Sequence, residues 1–209
     1  MSDKKRLIQS HGGYRKLRSF QTARLIYDGT LIFCKRFINR RSRTYDQMVQ
    51  AARSAVQNIA EGSMASATSK KMELKLTGVA RASLEELRLD YEDFLRQRGL
   101  PIWHKDSPKA LAVRQKYQTI NMSDLSDLSD LSDESDQADL SDISDRSDPY
   151  NIRTASAEEA ANTLLCLIHQ ASYLLKRQLE RLEQQFLEEG GFTERLYHQR
   201  KAFRKNQRD

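Results

Sequence analysis

The sequence predicts an all-α protein: an antiparallel up-and-down four-helix bundle with a short extra helix, an acidic disordered insert and a basic C-terminal segment. Apolar residues recur every three or four positions along four long stretches, which is the signature of amphipathic helices. Only three prolines and eight glycines interrupt the 209 residues. An acidic low-complexity run lies between the last two long stretches, where an insertion need not break a bundle.

The two central helices are predicted over residues 45–62 and 68–98. Thr44 is placed to cap the first of them and Gly62 to end it, while Gly99 and Pro101 stop the second. The buried face of the second helix is predicted from the apolar and small residues Met72, Leu76, Val79, Ala80, Ser83, Leu87, Tyr91 and Phe94. Such a hairpin cannot bury both apolar stripes alone, so further helices must cover it.

The outer helices are predicted over residues 19–38 and 157–188. Gly29 lies in the middle of the first, where a close approach of another helix would explain it. Ser156 suits the N-terminus of the last helix and Gly190 its end. A short helix over residues 109–120 follows Trp103, which we expect to pack on the bundle as a hydrophobic anchor.

These elements divide the chain into five segments. They are a basic N-terminal arm (1–18), three bundle helices with the short helix (19–121), the acidic insert (122–150), the last bundle helix (151–190) and a basic C-terminal suffix (191–209).

The acidic insert repeats Ser-Asp-Leu and then decays into Ser-Asp steps. Its period of three fits neither an α-helix nor a strand, and it contains ten acids and one base between Ser123 and Asp148. Without aromatic residues it cannot bury enough apolar area to offset its ordering entropy, so we expect a disordered loop. The alternative is an acidic strip that folds back on basic surfaces and competes with nucleic acid.

Outside the insert the chain is strongly basic. The formal charge is +6, but residues other than Ser123 to Asp148 hold 34 bases and 19 acids, a net charge of +15. A body this basic and polar predicts an anionic partner, with RNA or DNA as the usual candidate. The alternative is a solvated helical surface without such a partner.

Two clusters of basic residues are the candidate nucleic-acid-binding residues. The first lies at the end of the first long helix and in the connection after it, and consists of Lys35, Arg36, Arg40, Arg41 and Arg43. The second lies in the suffix, where Leu196, Tyr197 and Phe203 are interleaved with Arg195, Arg200, Lys201, Arg204 and Lys205. Its aromatic residues can stack on bases; the alternative is a basic tail that packs Leu196 and Tyr197 on the bundle.

No catalytic, cofactor-binding or metal-binding pattern is found in the sequence. It contains no Gly-rich phosphate loop, nucleophile elbow or zinc spacing. The Glu-x-x-His pairs of di-iron bundles are also absent, because no histidine on a predicted helix, such as His169, has a glutamate three residues before it. We therefore expect a protein that is not an enzyme.

The expected location is the cytoplasm. Cys34 and Cys166 are the only cysteines, and both lie within helical apolar patterns, which predicts buried free thiols in a reducing compartment. No apolar run reaches the length of a membrane span, so we expect no contact with a membrane.

The central hairpin resembles a known family. Its motifs are Asn58-Ile-Ala-Glu-Gly62 and Ala80-Arg-Ala-Ser-Leu-Glu-Glu-Leu87. They are similar to those of the bacterial four-helix-bundle proteins first noticed in intervening sequences of ribosomal RNA genes, which are related to the accessory variability proteins of retroelements. The stretch from Glu188 to Tyr197 is similar to the subgroup with a C-terminal suffix segment.

The resemblance implies an antiparallel four-helix bundle without catalytic residues. It also implies a homo-oligomer, with a pentamer as the expected size, and a basic relative that works with a reverse transcriptase and nucleic acid. The function expected for this chain is therefore binding of nucleic acid, or of a nucleic-acid-processing enzyme, by a homo-oligomer. The alternative is a homo-oligomeric scaffold that contacts protein partners only.

Overall fold

The structure, a computed structural model, describes residues 13–119 and 148–206 of the chain. Its regular elements are all helical, which confirms the predicted all-α class for these residues. They are a 3-10 helix (Tyr14–Lys16) and the α-helices α1 (Arg18–Phe37), α2 (Arg43–Ala65), α3 (Lys70–Gln97), α4 (Pro108–Thr119), α5 (Ala157–Glu189) and α6 (Phe192–Asn206). The predictions for residues 1–12, 120–147 and 207–209, including the disordered insert, lie outside the described part.

Each of the four long helices packs on two others: α1 and α3 both contact α2 and α5. The Ser54 and Ser83 hydroxyls lie 3.0 Å apart, whereas Gly62, later in α2, packs on Leu76, earlier in α3. Because the residue numbers rise along one helix and fall along the other, α2 and α3 run antiparallel. The up-and-down order requires this direction; the complete four-helix arrangement stays a prediction.

The core lies between the four long helices. Ile59, Leu87 and Leu175, from three different helices, are all buried, as their apolar stripes predict. The Phe33 ring packs edge-on against Tyr91, with ring centroids 4.9 Å apart. Such contacts across helices, rather than helix propensity alone, stabilise the long helices.

Gly29 marks a close approach of α1 to α5, as predicted. A Cβ atom at this position would lie 2.7 Å from Cδ2 of Leu164, which is itself buried. Because Gly29 has no side chain, Leu164 can pack directly against the backbone of α1. This contact explains a glycine that otherwise costs about 1 kcal/mol relative to alanine in a helix.

The ends of α2 differ from the prediction. Gly62 does not end this helix, which continues to Ala65. Gly62 is buried and packs against α3, where a Cβ atom at this position would lie 3.4 Å from Cβ of Leu76. The N-cap is Ser42 rather than Thr44, because the Ser42 hydroxyl accepts a hydrogen bond from the Thr44 amide. Local sequence offers both hydroxyls as caps, and the path of the preceding turn decides between them.

The ends of α5 agree with the prediction. The Ser156 hydroxyl accepts a hydrogen bond from the Glu159 amide, and the Glu159 carboxylate accepts one from the Ser156 amide. This reciprocal capping box satisfies two amides that have no partner within the helix. At the other end Gly190 adopts a positive φ of 66°, which a side chain would disfavour.

The buried face of α3 is narrower than predicted. Met72 and Val79 were expected to be buried, but they are 44% and 39% exposed. Each stands one residue before a buried position, Glu73 or Ala80, and is therefore rotated by about 100° around the helix. The neighbouring helices cover the face of Ala80 and leave the adjoining apolar side in solvent.

Trp103 anchors the chain between α3 and α4 by polar as well as apolar contacts. Its ring is half-buried, and its indole Nε1 donates a 2.7 Å hydrogen bond to the Glu158 carboxylate. Its amide donates to the Asn162 side chain at 2.8 Å. The predicted anchor is therefore present, but two hydrogen bonds to α5 define its position, and periodicity does not reveal them.

Candidate nucleic-acid interface

The first candidate surface lies where α1 ends and α2 begins. We call it the bundle-end surface and define it by four exposed basic side chains: Lys35, Arg40, Arg41 and Arg43. No carboxylate of the described residues forms an ion pair with any of them, although Asp46 follows in the first turn of α2. Exposed positive charges without an ion-pair partner are the kind of group to which phosphates bind.

A tight turn connects α1 to α2 within this surface. The Asn39 side chain accepts a 2.9 Å hydrogen bond from the Arg41 amide, and the Ser42 amide donates to the Asn39 carbonyl at 2.8 Å. Ser42 then caps α2. The connection that carries Arg40 and Arg41 is therefore a compact, hydrogen-bonded turn.

Arg36, a predicted binding residue, is engaged with the main chain instead. Its guanidinium donates to the carbonyls of Ile152 and Ala155, the latter at 2.8 Å. It also lies 4.4 Å from the centroid of the Phe37 ring. These contacts join the end of α1 to the turn before α5. Arg36 therefore helps to position the bundle-end surface, and its guanidinium is already hydrogen-bonded to main-chain carbonyls.

Two basic residues that were not predicted lie at the same end. The Arg98 guanidinium donates to the Phe37 carbonyl at 3.2 Å and stacks 3.8 Å from the Phe94 ring. Arg153 is exposed in the turn that Arg36 holds against α1. The folded chain brings it there from more than 100 positions away, so charge clustering along the sequence could not reveal it.

Basic residues elsewhere on the surface are often neutralised by neighbouring acids. Arg88 binds both Glu85, at 2.6 Å, and Glu92, and these contacts lower the pKa of the Glu85 carboxyl. Arg96 pairs with Asp93 at 2.8 Å. Similar pairs involve Arg24, Lys70, Lys109 and Lys176. Other exposed basic residues, such as Arg53 and Arg81, also have no ion-pair partner among the described residues, and the bundle-end surface differs from them in having four such residues between positions 35 and 43.

The second candidate surface lies on α6. Arg200, Lys201 and Arg204 are exposed, and the neighbouring aromatic residues Tyr197 and Phe203 are 63% and 65% exposed. Tyr197 therefore does not bury its ring on the bundle, contrary to the alternative considered above, whereas Leu196 is half-buried. The predicted residues Arg195 and Lys205 belong to α6, but their side chains lie outside the described part of the structure.

The two surfaces lie at opposite ends of α5. The turn before α5 contacts Arg36 at the bundle-end surface, while α6 follows the other end of α5 after Gly190. The 33 residues of α5 span about 50 Å. One chain therefore does not combine both predicted clusters in a single site.

The described thiols are poorly suited to nucleophilic chemistry. Burial raises the pKa of the Cys34 thiol to about 12 and also raises that of Cys166, which is half-buried rather than buried. Across residues 13–119 and 148–206, no cluster of three or more histidine, cysteine or acidic side chains is arranged to hold a metal ion. Over the same residues, no helix combines the length and apolarity that crossing a membrane requires.

Comparisons of the chain with family models, with curated proteins and with solved structures find no match. The family resemblance of the central hairpin therefore stays a prediction, and the surfaces described above are the basis for considering function.

Proposed function

We propose that this chain is a non-enzymatic helical protein of the cytoplasm that forms homo-oligomers and binds nucleic acid, or an enzyme that processes it, through basic surfaces. One observation carries the proposal: four exposed basic side chains of the bundle-end surface have no ion-pair partner among the described residues. The family resemblance supports the homo-oligomer, with a pentamer as the expected size.

The bundle-end surface suits phosphates better than bases. Its arginines can each form two parallel hydrogen bonds to phosphate oxygens. The nearest aromatic residues, Phe37 and Tyr45, are half-buried and offer no open ring for stacking. Binding there should consequently show little sequence preference and should weaken steeply as salt rises, because the release of counterions from the nucleic acid is then less favourable.

The test measures binding of fluorescently labelled RNA and DNA, single- and double-stranded, by anisotropy at several salt concentrations. We expect binding of all four at low salt. A pull-down from lysate with and without nuclease separates direct protein contacts from those that nucleic acid bridges. Absence of binding at low salt by the intact chain would show that the nucleic-acid proposal is wrong.

A scaffold that contacts only proteins is the second candidate function. The exposed apolar side of α3, with Met72, Val79 and Leu89, favours it, because such a stripe is typical of a helix that packs on a partner. Captured proteins that survive nuclease treatment, together with absent nucleic-acid binding, are the results expected for this alternative.

A further inference from the structure

The outward side of α3 carries a regular stripe that the bundle does not cover. We call it the α3 stripe and define it by residues spaced three or four apart, all exposed: Met72, Lys75, Val79, Ala82, Glu86, Leu89 and Asp93. Leu89 is 51% exposed. A sustained alternation of three and four is the spacing with which one helix packs lengthwise on another.

The later half of the α3 stripe is acidic. Glu86 and Asp93 lie on it, and Asp90 lies beside it. Burial, together with the neighbouring charges of Asp93 and Glu86, raises the pKa of the Asp90 carboxyl. Asp93 pairs with Arg96, but neither Glu86 nor Asp90 has an ion-pair partner among the described residues. A partner for this region should be basic as well as apolar.

α6 has the complementary properties. Leu196, Arg200 and Phe203 follow one another at spacings of four and three, and Arg204 adjoins them on the same side. Phe203 is 65% exposed, and α6 makes few contacts with the rest of the chain. Its 15 residues span about 22 Å, which matches the length of the α3 stripe from Val79 to Asp93.

Within one chain these two surfaces are held apart. α3 ends beside α1, where Arg98 binds the Phe37 carbonyl, and α5 begins at the same end, where Ala155 binds Arg36. α5 therefore runs back toward the start of α3, and α6 follows at the end remote from Glu86 and Asp93. The acidic half of the α3 stripe is open to α6 of another molecule.

We propose that α6 of one copy docks on the α3 stripe of a second copy, with Phe203 against Leu89 and with Arg200 and Arg204 against the acids. The two surfaces differ, so the contact is heterologous, and its repetition gives a ring or an open filament. This inference rests on the assembly part of the proposed function and not on nucleic-acid binding.

Charge reversal tests the contact, with light scattering at micromolar concentration and low salt as the measurement. One variant carries Glu86→Lys and Asp93→Lys; the other carries Arg200→Glu and Arg204→Glu. We expect each alone to raise the assembly dissociation constant roughly tenfold or more, because like charges then face each other. A variant that carries all four substitutions should assemble again, because opposite charges then face each other with their places exchanged.

A matched control carries Glu61→Lys and Asp106→Lys, which reverse two exposed acids away from the α3 stripe. It should assemble like the unchanged chain, and circular dichroism should show all variants folded. If the reversed variants assemble normally, or if the fourfold variant stays dissociated, this contact is wrong. Assembly that persists in both reversed variants keeps the homo-oligomer but excludes this interface, whereas a monomeric unchanged chain excludes both.

Discussion

The salt dependence of nucleic-acid binding tests the bundle-end surface most directly. The perturbation is the triple substitution Arg40→Gln, Arg41→Gln and Arg43→Gln. Because these side chains are exposed and have no carboxylate partner, each is available to neutralise one phosphate. Loss of three such contacts lowers the magnitude of the slope of log affinity against log salt by about 2.7 for duplex DNA and about 2 for single strands.

The same figures give the expected loss of affinity. If the affinities extrapolated to 1 M salt agree, the triple variant binds duplex DNA roughly 500-fold more weakly at 0.1 M salt. The assay is anisotropy of labelled 20-nucleotide strands and duplexes between about 50 and 200 mM salt. Arg36→Gln should change the slope less and should instead lower the thermal unfolding midpoint, because it removes hydrogen bonds to Ile152 and Ala155.

A control variant with Arg53→Gln, Lys71→Gln and Arg81→Gln loses the same charge from exposed positions on α2 and α3. Its slope should remain close to that of the unchanged chain. An unchanged slope in the triple variant, or an equal fall in the control, would refute a localised phosphate site and leave only the overall charge as the cause of binding.

Three further predictions concern the insert and the core. Replacing residues 123–147 by a short Gly/Ser linker removes nine acids and should tighten nucleic-acid binding at low salt, measured by anisotropy; Asp148 is kept because its carboxylate caps the following turn. Burial raises the pKa of the Asp28 carboxyl from 3.8 to about 6, so the fold favours the protonated form of this group. The resulting contribution to stability is present below pH 4 and is lost as the pH rises through about 6. Asp28→Asn should abolish this component of the pH dependence, on the order of 1–3 kcal/mol in urea titrations. Thr30→Val leaves the buried Tyr91 hydroxyl without its partner and should cost about 1–3 kcal/mol, whereas Tyr91→Phe should cost about 1 kcal/mol and the double variant less than the sum; additive losses in urea titrations would contradict the bond.

Local patterns determined the helices and several of their ends. Periodicity of apolar residues reports which side of a helix is buried, so Ile59, Leu87 and Leu175 could be placed in the core before any partner helix was known. A capping box involves residues only three positions apart, and Ser156 could therefore be assigned from sequence. Gly29 was recognised as a close contact because its helix-propensity cost needs a compensating reason.

The composition of the candidate interface was predictable, but its geometry was not. Lys35, Arg40, Arg41 and Arg43 are neighbours in sequence, so their clustering required no knowledge of the fold. Arg153 joins them only because the turn before α5 returns to the end of α1. Charge patterns in sequence report local density, whereas a surface also includes residues that packing brings from elsewhere.

Only the tertiary structure decided which basic and apolar groups remain available. Arg36 and Arg40 are chemically identical, but main-chain carbonyls from residues 152 and 155 engage Arg36 and leave Arg40 in solvent. Met72 and Val79 belong to a broad apolar side of α3. The neighbouring helices cover only part of that side, so both residues remain exposed. The length and direction of α5 likewise separate the two basic clusters. In each case the deciding contact joins residues far apart in the chain, which local sequence does not specify.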